Sequence, residues 1–192
     1  MYARDIDIPF YDITKKLRLI KPDPKYAPVT IQWISKDEVT KYLGADFSKM
    51  TVEDEVKHLE NMVDDDDRYS WMIELGGEIV GNIEINEIKD LSQKYSAKTG
   101  AFCTLIGDPS NWGQGLGSSA KKAASNWAFS EGGFEMIEAK AYVQNIRSWS
   151  ALEKLGYHYE GIERGDVNGA PVEWKVYTLK KKDWEELNWS LK

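Results

Sequence analysis

The feature that most constrains this sequence is a glycine-rich segment at residues 108–119, which reads Asp-Pro-Ser-Asn-Trp-Gly-Gln-Gly-Leu-Gly-Ser-Ser. An apolar run precedes it at residues 101–106, and small apolar residues at helical spacing follow it to about Ser130. The pattern predicts a strand that enters a glycine turn and continues as a helix. Such a turn presents free backbone N–H groups at the positive end of a helix dipole, which is typical of a site for phosphate.

Two common phosphate motifs do not fit this segment. A P-loop needs a lysine directly after its last glycine, whereas Gly117 is followed by Ser118. The dinucleotide fingerprint needs a third glycine, and counting from Gly113 and Gly115 again reaches Ser118. The remaining pattern is x-x-Gly-x-Gly, led by Trp112.

This loop resembles the pyrophosphate loop of the GNAT N-acetyltransferase family, whose pattern is Gln/Arg-x-x-Gly-x-Gly/Ala. Trp112 replaces the leading Gln or Arg, as in the branch that acetylates ribosomal-protein N-termini, the Rim type. A second segment, residues 145–157 followed by Glu160-Gly161, is similar to the Asn-x-x-Ser…Glu-Lys-Leu-Gly-Phe motif of that branch. Because two motifs in the right order are more specific than one, the chain is identified as a member of this family.

The resemblance implies an α/β fold of the mixed α+β kind, with a central, mostly antiparallel sheet flanked by helices. We expect residues 1–16 to be an N-terminal extension and residues 17–192 to form a single N-acetyltransferase domain. The order of elements that the sequence predicts agrees with this fold. It comprises a strand at 17–20, helices within 26–43 and over 51–63, a hairpin at 69–85, a strand at 101–106, a helix at 116–130, a strand at 134–143, a helix at 148–155, a hairpin at 157–179 and a terminal helical segment at 181–189.

The resemblance also implies acetyl-CoA as the acetyl donor. The loop N–H groups would hold its pyrophosphate, a backbone N–H near the end of the strand would polarise the thioester carbonyl, and Asn145 would contact the pantetheine arm. The residues expected to bind acetyl-CoA are Leu105, Ile106, Trp112, Gly113, Gln114, Gly115, Leu116, Gly117, Ser118 and Asn145. No metal is expected, because the four aspartates at residues 64–67 lack the alternating ligands, glycine and final glutamate of a calcium loop.

Transfer to an amine needs a base for the ammonium and a proton donor for the leaving thiolate. The resemblance makes Ser148 the donor, since Leu152 occupies the position of the family's tyrosine acid. The glutamate that many members carry before the loop is replaced by Ala101, so Glu84 on the neighbouring strand is the predicted base. Weaker alternatives for the base are Glu163 and Asp166.

Composition limits the partners. The formal net charge of −7 argues against nucleic acid as a ligand and suits either a cationic substrate or solubility alone.

The only cysteine, Cys103, excludes an internal disulfide and is interpreted as a packing residue rather than an acetylated nucleophile. No apolar run approaches the roughly 18 residues of a membrane span, and no signal peptide precedes the domain, so we expect a cytoplasmic protein. Because family members are often dimers, a homodimer is also implied.

The acceptor stays open between a protein N-terminus and a small amine such as an aminosugar, an aminoglycoside or a polyamine. Trp33, Trp71 and Trp174 are candidates to hold a cationic amine by cation–π contact. The alternative function is a non-catalytic module that binds or senses acyl-CoA, which Ala101 at the usual glutamate position favours. We expect the enzyme, since an α-amine of low pKa needs less help from a base.

Overall fold

A computed structural model of the chain describes residues 4–8 and 16–187. In these residues the strands are β1 (Ile6–Asp7), β2 (Leu17–Ile20), β3 (Tyr69–Leu75), β4 (Glu78–Asn86), β5 (Thr99–Ile106), β6 (Met136–Tyr142), β7 (His158–Val167) and β8 (Ala170–Lys180). The helices are α1 (Ala27–Ile34), α2 (Asp37–Thr40), α3 (Val52–Asp64), α4 (Ile88–Tyr95), α5 (Leu116–Ser130), α6 (Ile146–Lys154) and α7 (Lys181–Glu186).

The described strands form one sheet in the order β1-β2-β3-β4-β5-β6-β8-β7. Within this sheet β5 and β6 are the parallel pair, and every other neighbouring pair is antiparallel. The parallel pair is joined through the glycine loop and α5, which is the crossover that parallel strands require. The predicted mixed, mostly antiparallel sheet with flanking helices is therefore confirmed.

Helix α5 packs closely on one face of the sheet because its buried stripe consists of small residues. Ala120, Ala124 and Ala128 are fully buried there, against a core that includes Ile83 and Phe102. The opposite face carries a second core, formed with α1 and α3 and including Trp33, Leu59, Met62 and Met72. The close packing of α5 fixes the position of its N-terminus at the end of β5.

The sequence Thr51-Val52-Glu53-Asp54 approximates a capping box, and helix α3 begins there. The Thr51 hydroxyl accepts a hydrogen bond from the Asp54 N–H, and the Asp54 carboxylate accepts one from the Thr51 N–H. The spacing of Val52, Val56, Leu59 and Val63 predicts the buried face of this helix. This prediction is wrong in part, because Val52 is 40% exposed while Glu55 is buried. Leu59 lies on both the predicted and the observed face, so the helix is rotated about its axis relative to the prediction.

Two elements were not predicted. Helix α4 lies in a polar stretch, and non-glycine residues with positive φ, Glu87 and Ser96, flank it, so neither its composition nor its ends mark a helix. Strand β1 lies in the predicted N-terminal extension and pairs with β2, with Ile6 opposite Leu19. Residues 1–3, 9–15 and 188–192 lie outside the described residues, so the predicted end of the terminal helix at residue 189 does too.

Candidate active site

The candidate site is the gap that opens between β5 and β6. The two strands pair only from Thr99–Met136 to Phe102–Ala139, although β5 continues to Ile106 and β6 to Tyr142. A cleft of about 720 Å³ occupies this gap, and residues of α2, α5, α6 and β8 complete its walls. Past Phe102, the edge of β5 that faces β6 has no partner strand, so its backbone groups are open to a ligand.

The predicted glycine loop lies at the mouth of this cleft. Gly113 and Gly115 have φ values of 76° and 80°, a left-handed backbone conformation that residues with a side chain rarely adopt. Gly115 is also the N-cap of α5, and no side chain caps that end. The N–H groups of the first helical turn are therefore free to bind an anion beside the positive end of a 15-residue helix.

Side chains of the glycine loop form contacts that fix its position. The Trp112 indole N–H donates to the Ile106 carbonyl at 2.8 Å, and the Arg147 guanidinium lies 3.7 Å from the centre of the Trp112 ring. Trp112 thus joins the loop to β5 and to α6. The Gln114 side chain donates to the Ser110 carbonyl at 2.8 Å and does not line the cleft, so only its backbone is suited to the predicted role.

The deep part of the cleft contains three groups with unusual surroundings. The Thr104 hydroxyl oxygen is buried and has no hydrogen-bond partner among the described residues, so it is available to a polar group of a ligand. The Cys103 side chain is exposed, and desolvation, assisted by the charge of Glu84, raises the pKa of its thiol to about 12. Desolvation lowers the pKa of Lys121 to about 8.

The second sequence motif forms the start of α6 and also faces the cleft. The Asn145 side chain accepts a hydrogen bond from the Ser148 N–H at 3.3 Å, which makes Asn145 the N-cap of α6. The hydroxyl of Ser148 makes no hydrogen bond within the described part of the chain, and the residue lines the cleft. Asn145 therefore positions α6, and Ser148 presents a free donor to the gap.

The structure does not bring Glu84 into the cleft. Its side chain is 7% exposed and is bound by Arg68 at 3.1 Å and by Asn82 at 3.3 Å. Desolvation raises the pKa of Glu84, and the charge of Arg68 opposes this shift. Glu163 and Asp166 do not line the cleft either, because Glu163 is paired with Lys140 and Asp166 accepts from the backbone of a turn.

Sequence reasoning missed Glu87, the carboxylate that the structure places in the cleft wall next to Cys103. Glu87 follows β4 directly, has a φ of 53° and is exposed. Its charge contributes to raising the pKa values of both Cys103 and Lys140. A non-glycine residue in this left-handed conformation lowers the stability of the fold by about 1–2 kcal/mol. Such backbone strain is concentrated at functional sites. Its sequence context, between strand and polar stretch, carries no motif that marks it.

The side of the cleft away from the glycine loop is aromatic. The rings of Tyr42 and Trp174 each lie 5.6 Å from the ring of Tyr142, and all three residues line the cleft together with the exposed Glu38. Of the three predicted tryptophans, only Trp174 is in this wall. Trp33 and Trp71 are buried in the two cores.

Within residues 4–8 and 16–187, no group of three or more His, Cys, Asp or Glu side chains is arranged to hold a metal ion. None of the helices described is long and apolar enough to span a membrane. The cytoplasmic location and the homodimer stay predictions.

Comparison with known proteins decides the family. The model of the acetyltransferase (GNAT) domain matches residues 16–158, which is most of the chain. The chain belongs to the GNAT family. It is an acetyltransferase with acetyl-CoA as donor, as the resemblance implied.

Individual relatives agree with this assignment. The chain is 25% identical over 179 residues to an uncharacterised N-acetyltransferase, p20 of Bacillus licheniformis, covering 89% of this chain and 96% of p20. The Salmonella typhimurium acetyltransferase that modifies the N-terminal serine of ribosomal protein L7/L12 has a similar structure, with a TM-score of 0.76, 18% identity, and coverage of 92% and 99%. Spermidine N-acetyltransferase from Vibrio cholerae gives a TM-score of 0.74 at 16% identity, with coverage of 91% and 99%. At these identities the two structures show a shared fold.

Proposed function

We propose that this protein transfers the acetyl group of acetyl-CoA directly to a cationic primary amine held by Tyr42, Tyr142 and Trp174. The observation that carries the proposal is the cleft itself, which has an anion-binding loop at one side and an aromatic wall at the other. Aromatic faces attract ammonium groups, and the carboxylates of Glu38 and Glu87 add to the attraction. The net charge of −7 acts in the same direction.

The donor half of the proposal uses the residues that the sequence singled out. The backbone N–H groups of Gly113, Gln114, Gly115, Leu116, Gly117 and Ser118 would bind the pyrophosphate of acetyl-CoA. Trp112 and Asn145 hold the walls of its site in place. The free edge of β5 around Leu105 and Ile106, together with the Thr104 hydroxyl, would hydrogen-bond the pantetheine arm and the thioester carbonyl. The residues present therefore fit acetyl-CoA.

Two proton transfers accompany the reaction. Ser148, whose hydroxyl is free, donates a hydrogen bond to the sulfur that leaves as CoA. For the base, the geometry favours Glu87 over Glu84, because Glu87 lines the cleft and is solvated while Glu84 is bound by Arg68. Glu84 remains the alternative base, acting through a water.

The acceptor class is tested by the release of CoA thiol from acetyl-CoA with a panel of amines: a polyamine, an aminosugar, an aminoglycoside and peptides with a free N-terminus. Each is paired with its N-acetylated or dimethylated form, which lacks the reactive amine. We expect turnover with a cationic primary amine and none with the blocked form. Turnover restricted to uncharged amines, or equal rates with the blocked controls, would overturn the proposal.

A further inference from the structure

One basic side chain in the cleft is unexplained by the proposed function. Lys121 lies on α5 one helical turn after Gly117, and both residues line the cleft. A side chain built on Gly117 would lie within 4 Å of Thr104 and Ile106, so this face of α5 covers the end of β5. Lys121, one turn further, faces the point where β5 and β6 separate, beside Cys103.

Among the described residues, Lys121 has no side-chain partner for its ammonium group, whereas its basic neighbours Lys140 and Arg147 each have one. Lys140 is paired with Glu163 at 2.8 Å and lies 3.6 Å from the Glu138 carboxylate, and Arg147 stacks on Trp112. Over the residues that the structure describes, Lys121 makes neither an ion pair nor a side-chain hydrogen bond. Burial of an ammonium group without a nearby carboxylate lowers its pKa. With a pKa of about 8, roughly one tenth of the side chain is a neutral amine at pH 7.

A neutral primary amine beside a thioester is a nucleophile. We propose that Lys121 is a self-acetylation site, which receives the acetyl group of acetyl-CoA bound in its own cleft when no acceptor amine is present. The Lys121 nitrogen forms an amide bond to the carbonyl carbon, and the carbon–sulfur bond breaks. The amine proton leaves for water and the CoA thiolate takes up a proton, so that the products are Nε-acetyl-Lys121 and CoA.

Position within the cleft distinguishes Lys121 from ordinary surface lysines. Lys154 also lines the cleft, at the end of α6, but it is exposed. Lys154 therefore lies at the solvent-exposed end of α6, whereas Lys121 lies on α5 beside Cys103. Holding a nucleophile and a thioester together raises the reaction rate through a large effective concentration, and this advantage favours Lys121 over Lys154.

The test is peptide mapping by mass spectrometry of the full chain, incubated with acetyl-CoA in the absence of an amine acceptor. We expect acetylation of Lys121 to exceed that of Lys154 by about tenfold or more in initial rate. Excess CoA should suppress acetylation at Lys121 and leave the slow background at other lysines unchanged. The Lys121→Arg variant should lose the dominant acetylated peptide, whereas Lys154→Arg should keep it.

Equal acetylation of Lys121 and Lys154, insensitivity to CoA, or an unmodified Lys121 in protein that turns over an amine would overturn this inference. The inference rests on the proposed function only in requiring acetyl-CoA to bind in this cleft. The two can therefore fail separately. Acetylation of Lys121 without turnover of any cationic amine would support the inference and overturn the proposed acceptor. Turnover of a cationic amine without acetylation of Lys121 would support the proposed acceptor and overturn the inference.

Discussion

Phe102 and Ala139 form the last residue pair that joins β5 to β6. Before this pair the two strands belong to a continuous sheet, and after it residues 103–106 and 140–142 line opposite walls of the cleft. Because the strands separate, backbone N–H and C=O groups of β5 and β6 that would otherwise pair with each other are available to bind a ligand. The glycine loop follows immediately after β5, so the anion site and the gap come from one strand–loop–helix unit.

The positive φ of Gly115 predicts a sharp effect on donor binding. A β-branched residue is strained by about 1–2 kcal/mol in this conformation, so Gly115→Val should displace the first turn of α5. We expect the Kd for acetyl-CoA, measured by isothermal titration, to rise by about tenfold or more. Gly77→Val is the matched control, because Gly77 has a φ of 95° in the turn between β3 and β4 and does not line the cleft. Equal affinities in the two variants would contradict the role of the loop.

Removing the free hydroxyl of Ser148 should affect catalysis rather than binding. If Ser148 assists the leaving thiolate, Ser148→Ala should lower kcat by about tenfold or more and leave the KM for acetyl-CoA nearly unchanged. Ser130→Ala is the control, since Ser130 is at the exposed end of α5. Steady-state rates of thiol release measure both variants, and an unaltered kcat in Ser148→Ala removes Ser148 from the mechanism.

The two candidate bases make different predictions. If Glu87 takes the proton, Glu87→Gln should lower kcat by about tenfold or more, because the amide has the same shape but cannot accept a proton. Glu84→Gln should then mainly reduce stability, since it weakens the pair with Arg68. The measurements are kcat together with the midpoint of urea unfolding for each variant. A large loss of kcat in Glu84→Gln alone would reverse the assignment.

The aromatic wall should determine affinity for the acceptor. Trp174→Leu removes a ring that contacts Tyr142, and cation–π contacts contribute about 0.5–2 kcal/mol, so the KM for a cationic amine should rise by roughly two- to thirtyfold. The KM for acetyl-CoA should stay constant. Tyr159→Leu, which removes an exposed ring on β7 that does not line the cleft, should change neither constant. A rise in the KM for acetyl-CoA alone would place Trp174 in the donor site.

A buried carboxylate next to the cleft makes a prediction about stability. The Glu138 side chain is fully buried, and its carboxylate accepts hydrogen bonds from Tyr95 at 2.6 Å and Lys94 at 3.1 Å. Tyr95→Phe removes one of these donors, and hydrogen bonds to charged groups contribute about 1.5–3 kcal/mol. We expect urea unfolding to show a loss of that size, against almost none for Tyr159→Phe. A loss below about 0.5 kcal/mol would mean that water replaces the Tyr95 hydroxyl.

The sequence predicted the parts of the fold that local chemistry determines. The dipeptides Gly76-Gly77 and Asn168-Gly169 predict the turns of the two hairpins, because tight turns need positive φ, and all four residues have it. Thr51 and Asp54 likewise predict the start of α3. Helix α4 was not predictable, since its ends depend on Glu87 and Ser96 adopting a conformation that their residue types do not favour.

The sequence also predicted only those parts of the candidate site that consecutive residues determine. The glycine loop and Ser148 were found because consecutive residues carry their signal. Glu87, Lys121 and the contacts of Tyr142 were not found, because they depend on which strands separate and on what the opposite wall contains. Glu84 was a reasonable prediction from its place beside the strand, but Arg68, 16 residues away in the chain, engages it.

The most direct test of the account is a crystal structure of the protein with CoA. We expect the pyrophosphate to lie within hydrogen-bond distance of backbone N–H groups at residues 113–118, with the pantetheine arm between β5 and β6 and its sulfur near Ser148. CoA bound outside this gap, or a pyrophosphate held by side chains away from the N-terminus of α5, would contradict it.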